Sequence, residues 1–285
     1  MLRWPNVQVW KWRAWRSIAR FYVRLATIEA ELKLRGQKPV PVLLDNSAHW
    51  KGVTHEEAWV STGQTMWGGE IPVATGFAAR VPVHSQFNSS AEFQEIKYLV
   101  AIAELARRQR LQLVTSVELE GEARRHPPGA ASGYTWAALN VFSGIEISRL
   151  PGRGYLLPES AQDQSQRLLK GDAQPFQSLL PFFHEKDVLD CWHLHTAHDH
   201  GIEYFLTLDT KFHRKFHQAS KRKGFPALTS RPVLPSELAA ILKLREIPTS
   251  YVSYMDSDRL FFVRPDLHLP QDRRPTRGEF RRDKE

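Results

Sequence analysis

One cysteine, Cys191, is all the thiol this 285-residue chain contains. A lone thiol builds no internal disulfide framework, so a packed core must hold the fold, and a reducing cytoplasm is the default compartment. Lying next to Asp190 in a helical pattern, Cys191 reads as a small buried hydrophobe rather than a nucleophile. No apolar run is long enough to span a bilayer, so no integral membrane segment is expected. Arg residues interrupt every apolar stretch of the first 37 positions, unlike a secretory signal. The glycines of PGRGY, Gly152 and Gly154, lack the spacing of a phosphate loop. Four histidines, His193, His195, His198 and His200, crowd one stretch, but they do not share one helix face with a third partner, and zinc is not the reading there.

What is present is a globular composition with a basic balance. Hydrophobic residues make up 42%, enough for a sizeable core. The length fits one large domain, or one domain with extensions. The net charge of +8 and pI near 9.6 attract phosphates, and an acidic site charged with a metal is compatible with such a surface.

The chain is organised around residues 187 to 212, DVLDCWHLHTAHDHGIEYFLTLDTKF. This reads as a helix starting near Asp190, a turn at Gly201, a short buried strand, and Asp209 just past the strand. KPVPVLLDNS gives a second apolar strand, Val40 to Leu44, ending at Asp45. LQLVTSVELEGEARR gives a third, running into a helix start with Glu118, Glu120 and Glu122. Strands separated by helical segments predict βαβ units and an α/β fold with a central parallel sheet. In such sheets ligands gather outside the carboxyl ends of the strands. Three strand ends and one helix start can thus bring four carboxylates together. They would repel one another without a cation, and oxygen ligands point to Mg²⁺ or Mn²⁺.

The order of these motifs resembles the PIN domain family of metal-dependent ribonucleases. The matching pieces are LLDNS, TSVELEGEARR, DVLDCWHLHTA, YFLTLDTKF and, further on, ALTSRPVLPSELAAIL. The most specific block is DxxHLxTAxxxGxxYFLTxD, and the resemblance covers roughly residues 38 to 244 with gaps. It implies a three-layer α/β/α fold, a divalent-metal-dependent ribonuclease activity, and metal-binding catalytic acids at Asp45, Glu122, Asp190 and Asp209. Spacing from Ser116 in the family pattern favours Glu122 over Glu118, although both lie on one helix face. Ser47 and Thr207 match small hydroxyl positions that support the acids, with Ser116 and Glu118 beside them. His193 matches a position that packs beneath the site.

Around this core, residues 1–37 read as an amphipathic N-terminal helical extension. Trp15, Ile18, Tyr22, Leu25, Ile28 and Leu32 form an apolar stripe, with Arg13, Arg16, Arg20 and Arg24 roughly opposite. It can pack on the core, dock a partner chain, or lie on a membrane surface or nucleic acid. Residues 38–244 form the nuclease-like domain, with insertions near 50–90 and 126–160. In the first, WVSTGQTMWGGEIPVATG reads as a hairpin or ordered loop, and His49, Trp50 and Trp67 are candidates for stacking on bases. A helix is expected from Ala91 to Arg110, and another over Gln164 to Lys170. After Asp209 comes a basic run, Lys211, Arg214, Lys215, Lys221, Arg222 and Lys223, placed to meet a phosphate backbone. Residues 245–285 form a basic C-terminal extension with a strand-like piece at Leu260 to Val263. RNA is the expected partner by resemblance alone, with a homo-oligomer or an antitoxin-like protein as further partners. The competing functions are the toxin half of a toxin–antitoxin pair, and a PIN-like scaffold that binds RNA or protein without cutting.

Overall fold

The computed structural model describes residues 5–125, 139–152, 159–255, 267–268 and 281–282, with side chains from residue 13 to residue 255. The elements, in order, are α1 (Pro5–Lys33), β1 (Val40–Leu44), α2 (Asn46–Lys51), β2 (Val53–Trp67), β3 (Ile71–Pro82), α3 (Ala91–Arg107), β4 (Leu111–Thr115), α4 (Val117–Arg125), β5 (Leu139–Asn140) and β6 (Ile147–Arg149). They continue with α5 (Ala161–Leu169), α6 (Phe176–Leu179), α7 (Val188–Asp199), β7 (Tyr204–Leu206), α8 (Thr210–Ala219), β8 (Arg231–Val233), α9 (Pro235–Leu242) and α10 (Val252–Met255).

Five parallel strands form the central sheet in the order β6-β4-β1-β7-β8. The chain steps outward from β1 to one edge, then returns to the other side of β1 for β7 and β8. The switch point therefore lies between β1 and β7, where an open α/β sheet leaves a crevice at its carboxyl edge. Alternation along the strands divides the core. Val42 and Leu44 of β1 and Leu206 of β7 pack with α1, α3 and α9 on one face. Leu43 and Phe205 turn the other way, onto Leu119, Leu168, Val188, Leu194, Phe212 and Phe216. The result is a three-layer α/β/α fold.

Three further segments take definite forms. First, α1 packs on the core through Ala19, Val23, Ala26 and Ala30, all buried, while Trp15 and Tyr22 meet Tyr254 and Tyr251, at and just before α10. The stripe from Trp15 to Leu32 faces outward, with Ile18 at 46% and Leu32 at 63% exposure. Small side chains let α1 approach α3 closely, so residue size and not hydropathy selected the inner face. Second, the 126–160 insertion contains a strand of the central sheet: β6 pairs with β4 from Leu113↔Ile147 to Thr115↔Arg149. Third, the first insertion is a long β2–β3 hairpin whose base pairs with β5 and whose tip, including Trp67 at 72% exposure, stands in solvent. His49 and Trp50 at its foot are half-buried, His49 against Phe142. The Leu260–Val263 segment lies outside the described residues, as do Trp4, Gly154 and most of the basic C-terminal extension. No described helix is long and apolar enough to cross a membrane.

Candidate active site

Asp45 follows β1 directly, and its backbone N–H donates to the Leu206 carbonyl at 3.0 Å, clamping the ends of β1 and β7 together. It begins α2, yet its carboxylate does not cap that helix. Oδ2 instead accepts from the Thr207 hydroxyl at 2.7 Å and from the Ser47 hydroxyl. Ser47 and Thr207 lie 3.2 Å apart, and Ser47 Oγ also accepts the Leu208 N–H. The two hydroxyls thus fix the Asp45 side chain to the loop that carries Asp209. Burial raises the Asp45 pKa despite these two hydrogen bonds.

Asp209 caps α8: its Oδ1 accepts the N–H groups of Lys211 (2.8 Å) and Phe212 (2.9 Å). Asp190 sits in the first turn of α7, on the same side of the sheet because α7 runs antiparallel to β7. Gly201 makes that reversal, with φ +66° just past the end of α7, the left-handed position glycine tolerates best. No described residue donates a hydrogen bond to the half-buried Asp190 carboxyl. Its pKa is pushed up to about 7, first by burial and then by the charges of Asp45, Asp209 and Glu122, which His193 only partly offsets. Asp190 thus feels the charges of the other three acids at once.

Glu122, on α4, is engaged from beneath. His193 Nε2 lies 2.7 Å from its Oε1, and His193 is 1% exposed. Burial opposes a charge on His193, but Glu122, Asp45 and Asp190 outweigh it and raise the pKa to about 9. The same pairing lowers the Glu122 pKa against the cost of its own burial. A cationic imidazole is therefore the protein's own counter-charge within the acid cluster. The sequence placed His193 under the site; its ion pair with Glu122 depends on how α4 and α7 face each other.

Glu118 does not join these acids. It is buried and binds Arg167 through two bonds, 3.1 and 2.9 Å, and also Gln164. Its bonds make it an anchor between α4 and α5. Ser116 Oγ accepts the Leu119 N–H at 3.2 Å, starting α4. In the basic run, Lys211, Arg214, Lys221, Arg222 and Lys223 are exposed, while Lys215 is tied to Asp187 at 2.6 Å. The other histidines of α7 diverge: His195 packs on Trp192 and His198 bonds Thr229. Cys191 is fully buried, and burial pushes its thiol pKa up, away from nucleophilic use.

The donor set fits a hard divalent cation. Four carboxylates supply only oxygen, and no described residue donates a hydrogen bond to Asp190. The acids are spaced more widely than a closed cage: among the described residues, one other trio alone has its ligand atoms all within 4.8 Å. Compared with family models, curated proteins and solved structures, the chain gives no match.

Proposed function

We infer that the protein is a divalent-metal-dependent nuclease of the PIN-like type that hydrolyses RNA phosphodiester bonds. The observation that carries this reading is Asp190: a half-buried carboxyl at the sheet's switch point that feels the charges of Asp45, Asp209 and Glu122 and, among the described residues, accepts no hydrogen bond. A Mg²⁺ or Mn²⁺ ion held there would neutralise the cluster, lower the pKa of a bound water and offset charge on the phosphate. Asp45, oriented by Ser47 and Thr207, and Asp209, oriented by its own helix cap, present fixed carboxylates to that ion. His193 keeps Glu122 ionised and aimed inward. RNA as substrate rests on the PIN resemblance. The exposed cations at and beyond α8 support a phosphate-backbone path beginning beside Asp209.

The test is cleavage of labelled single-stranded RNA with Mn²⁺, Mg²⁺ or EDTA, comparing the parent with Asp209→Asn. Asparagine can accept the same two backbone N–H bonds, so the cap of α8 survives. The expected result is metal-dependent cutting that falls about 100-fold or more in the variant. Equal RNA binding with and without metal, and no cutting by either protein, would replace the nuclease with a non-cleaving scaffold.

The exposed cations yield a separate expectation. Replacing Lys221, Arg222 and Lys223 together with alanine should weaken binding to all RNA sequences alike. Each phosphate contact on a single strand contributes about 0.7 to the slope of log K against log salt, so the slope should become shallower by about 2. Fluorescence anisotropy over a salt series measures it, and an unchanged slope would remove these residues from the RNA path.

A further inference from the structure

Beyond the acid cluster, α8 carries a second group of metal-ligating side chains. His213 and His217 are four residues apart, on one face of the helix. Glu237, in the first turn of α9, reaches across to them. His213 Nε2 lies 2.6 Å from Glu237 Oε2, and His217 Nε2 lies 3.1 Å from His213 Nε2. All three ligand atoms fall within 4.8 Å of one another, the only such trio among the described residues. Two imidazole nitrogens meeting at this distance share one proton at most, so one of them presents its lone pair inward.

The group is built on rigid parts. Glu237 Oε2 also accepts the Leu234 N–H at 3.1 Å, so the capping of α9 fixes its direction. His213 is 9% exposed, while His217 is exposed, which leaves an entry path from solvent. Burial and the charges of His213, Lys221 and Arg231 hold His217 below its ordinary pKa, with Glu237 pulling the other way.

We propose that His213, His217 and Glu237 form a transition-metal site of the zinc class, holding one ion with a fourth position open to water. Metal–ligand distances of about 2.0–2.2 Å in a tetrahedral site imply ligand separations near 3.3 Å. The two histidines already stand close to that separation, and the His213–Glu237 pair must open by less than about 1 Å. Two nitrogens and one oxygen suit Zn²⁺ or Co²⁺ and do not suit Mg²⁺, so the trio and the acid cluster select different ions. The ion would join α8 to α9 one turn beyond Asp209. Its role is a staple that stabilises the helix whose first cap is Asp209.

The probe is Co²⁺, followed by its visible absorption, and Zn²⁺ by calorimetry, on the full chain without an affinity tag after removal of metals with EDTA. The expected result is one equivalent bound by the parent and by Asp45→Asn, with a raised melting temperature in both. His217→Ala replaces an exposed side chain and should keep the fold, checked by circular dichroism. It should bind at least about tenfold more weakly and lose the thermal shift. Glu237→Gln, which retains a carbonyl oxygen for the Leu234 N–H, should also weaken the site. Binding by His217→Ala equal to the parent, or loss in Asp45→Asn instead, would assign the ion elsewhere and overturn the proposal. So would a parent that binds neither ion at micromolar concentration.

Discussion

In EDTA at pH 8, Asp190→Asn should melt several degrees above the parent. The Asp190 pKa lies near 7 in the folded chain, against an ordinary value of 3.8. A folded-state pKa raised in this way is a penalty on folding: absent below about pH 4, growing between 4 and 7, and complete above 7. One pKa unit corresponds to ~1.4 kcal/mol, which puts the full penalty on the order of 4 kcal/mol. Asparagine keeps the shape and cannot ionise, so it should relieve that penalty at pH 8 and relieve none near pH 4. Millimolar Mn²⁺ should reverse the order. Binding to the folded state alone contributes RT ln(1 + [L]/Kd), about 2.7 kcal/mol at a hundredfold excess over Kd, and the parent should take that gain where the variant does not. Thermal melts at pH 4 and 8, with EDTA and with Mn²⁺, measure all of this. A variant less stable than the parent at pH 8 in EDTA, or a gain that does not shrink with acid, would mean that Asp190 is satisfied by something other than a cation. That penalty would have its cause in the fold: parallel β1 and β7 lie side by side and bring Asp45 and Asp209 to one edge of the sheet.

Much of that arrangement was legible in the chain. Short apolar runs followed at once by Asp45 and Asp209 read as strands ending at a carboxyl edge, and β1 and β7 lie side by side in parallel register. The apolar periodicity of α3 and the turn at Gly201 were equally visible. Where the reading fell short, long-range contact decided. The large residues of α1 had the better helical stripe, yet the alanine face packs inward because it fits closely against α3. β6 has only three residues and little hydrophobic signal of its own; its pairing with β4 makes it a strand. Glu118 and Glu122 share a helix face, and only the spacing from Ser116 in the family pattern favoured Glu122. Arg167 on α5 draws one away, and His193 on α7 holds the other. The His213–His217 pair was readable as i, i+4, but its third partner, Glu237, is brought close only when β8 places α9 beside α8.

The Glu118 anchor leads to the largest expected loss. Arg167→Met should destabilise the protein by roughly 3 kcal/mol or more, because it leaves a buried carboxylate facing Gln164 with its cationic partner gone. Glu118 is 8% exposed and takes two of its hydrogen bonds from the Arg167 guanidinium, which also binds Glu159 at 2.8 Å. Methionine roughly retains the aliphatic stem, so the loss reports the charge and not the packing. Pairing it with Glu118→Gln, which removes the stranded charge, should recover a large part of the stability, a coupling that a double-mutant cycle resolves directly. Chemical denaturation of the four proteins supplies the numbers. If Glu118 is an anchor, the specific metal-dependent activity of the folded fraction should stay within about twofold of the parent in Glu118→Gln, since non-ligating sites apart from the reacting groups add independently. If Glu118 instead reaches the ion, activity should fall as steeply as for Asp209→Asn, and the ion pair with Arg167 would then be a resting position that the cation displaces. Stability and activity separate these cases because both Glu118 oxygens are engaged by Arg167, so turning one of them to a cation would loosen that pair.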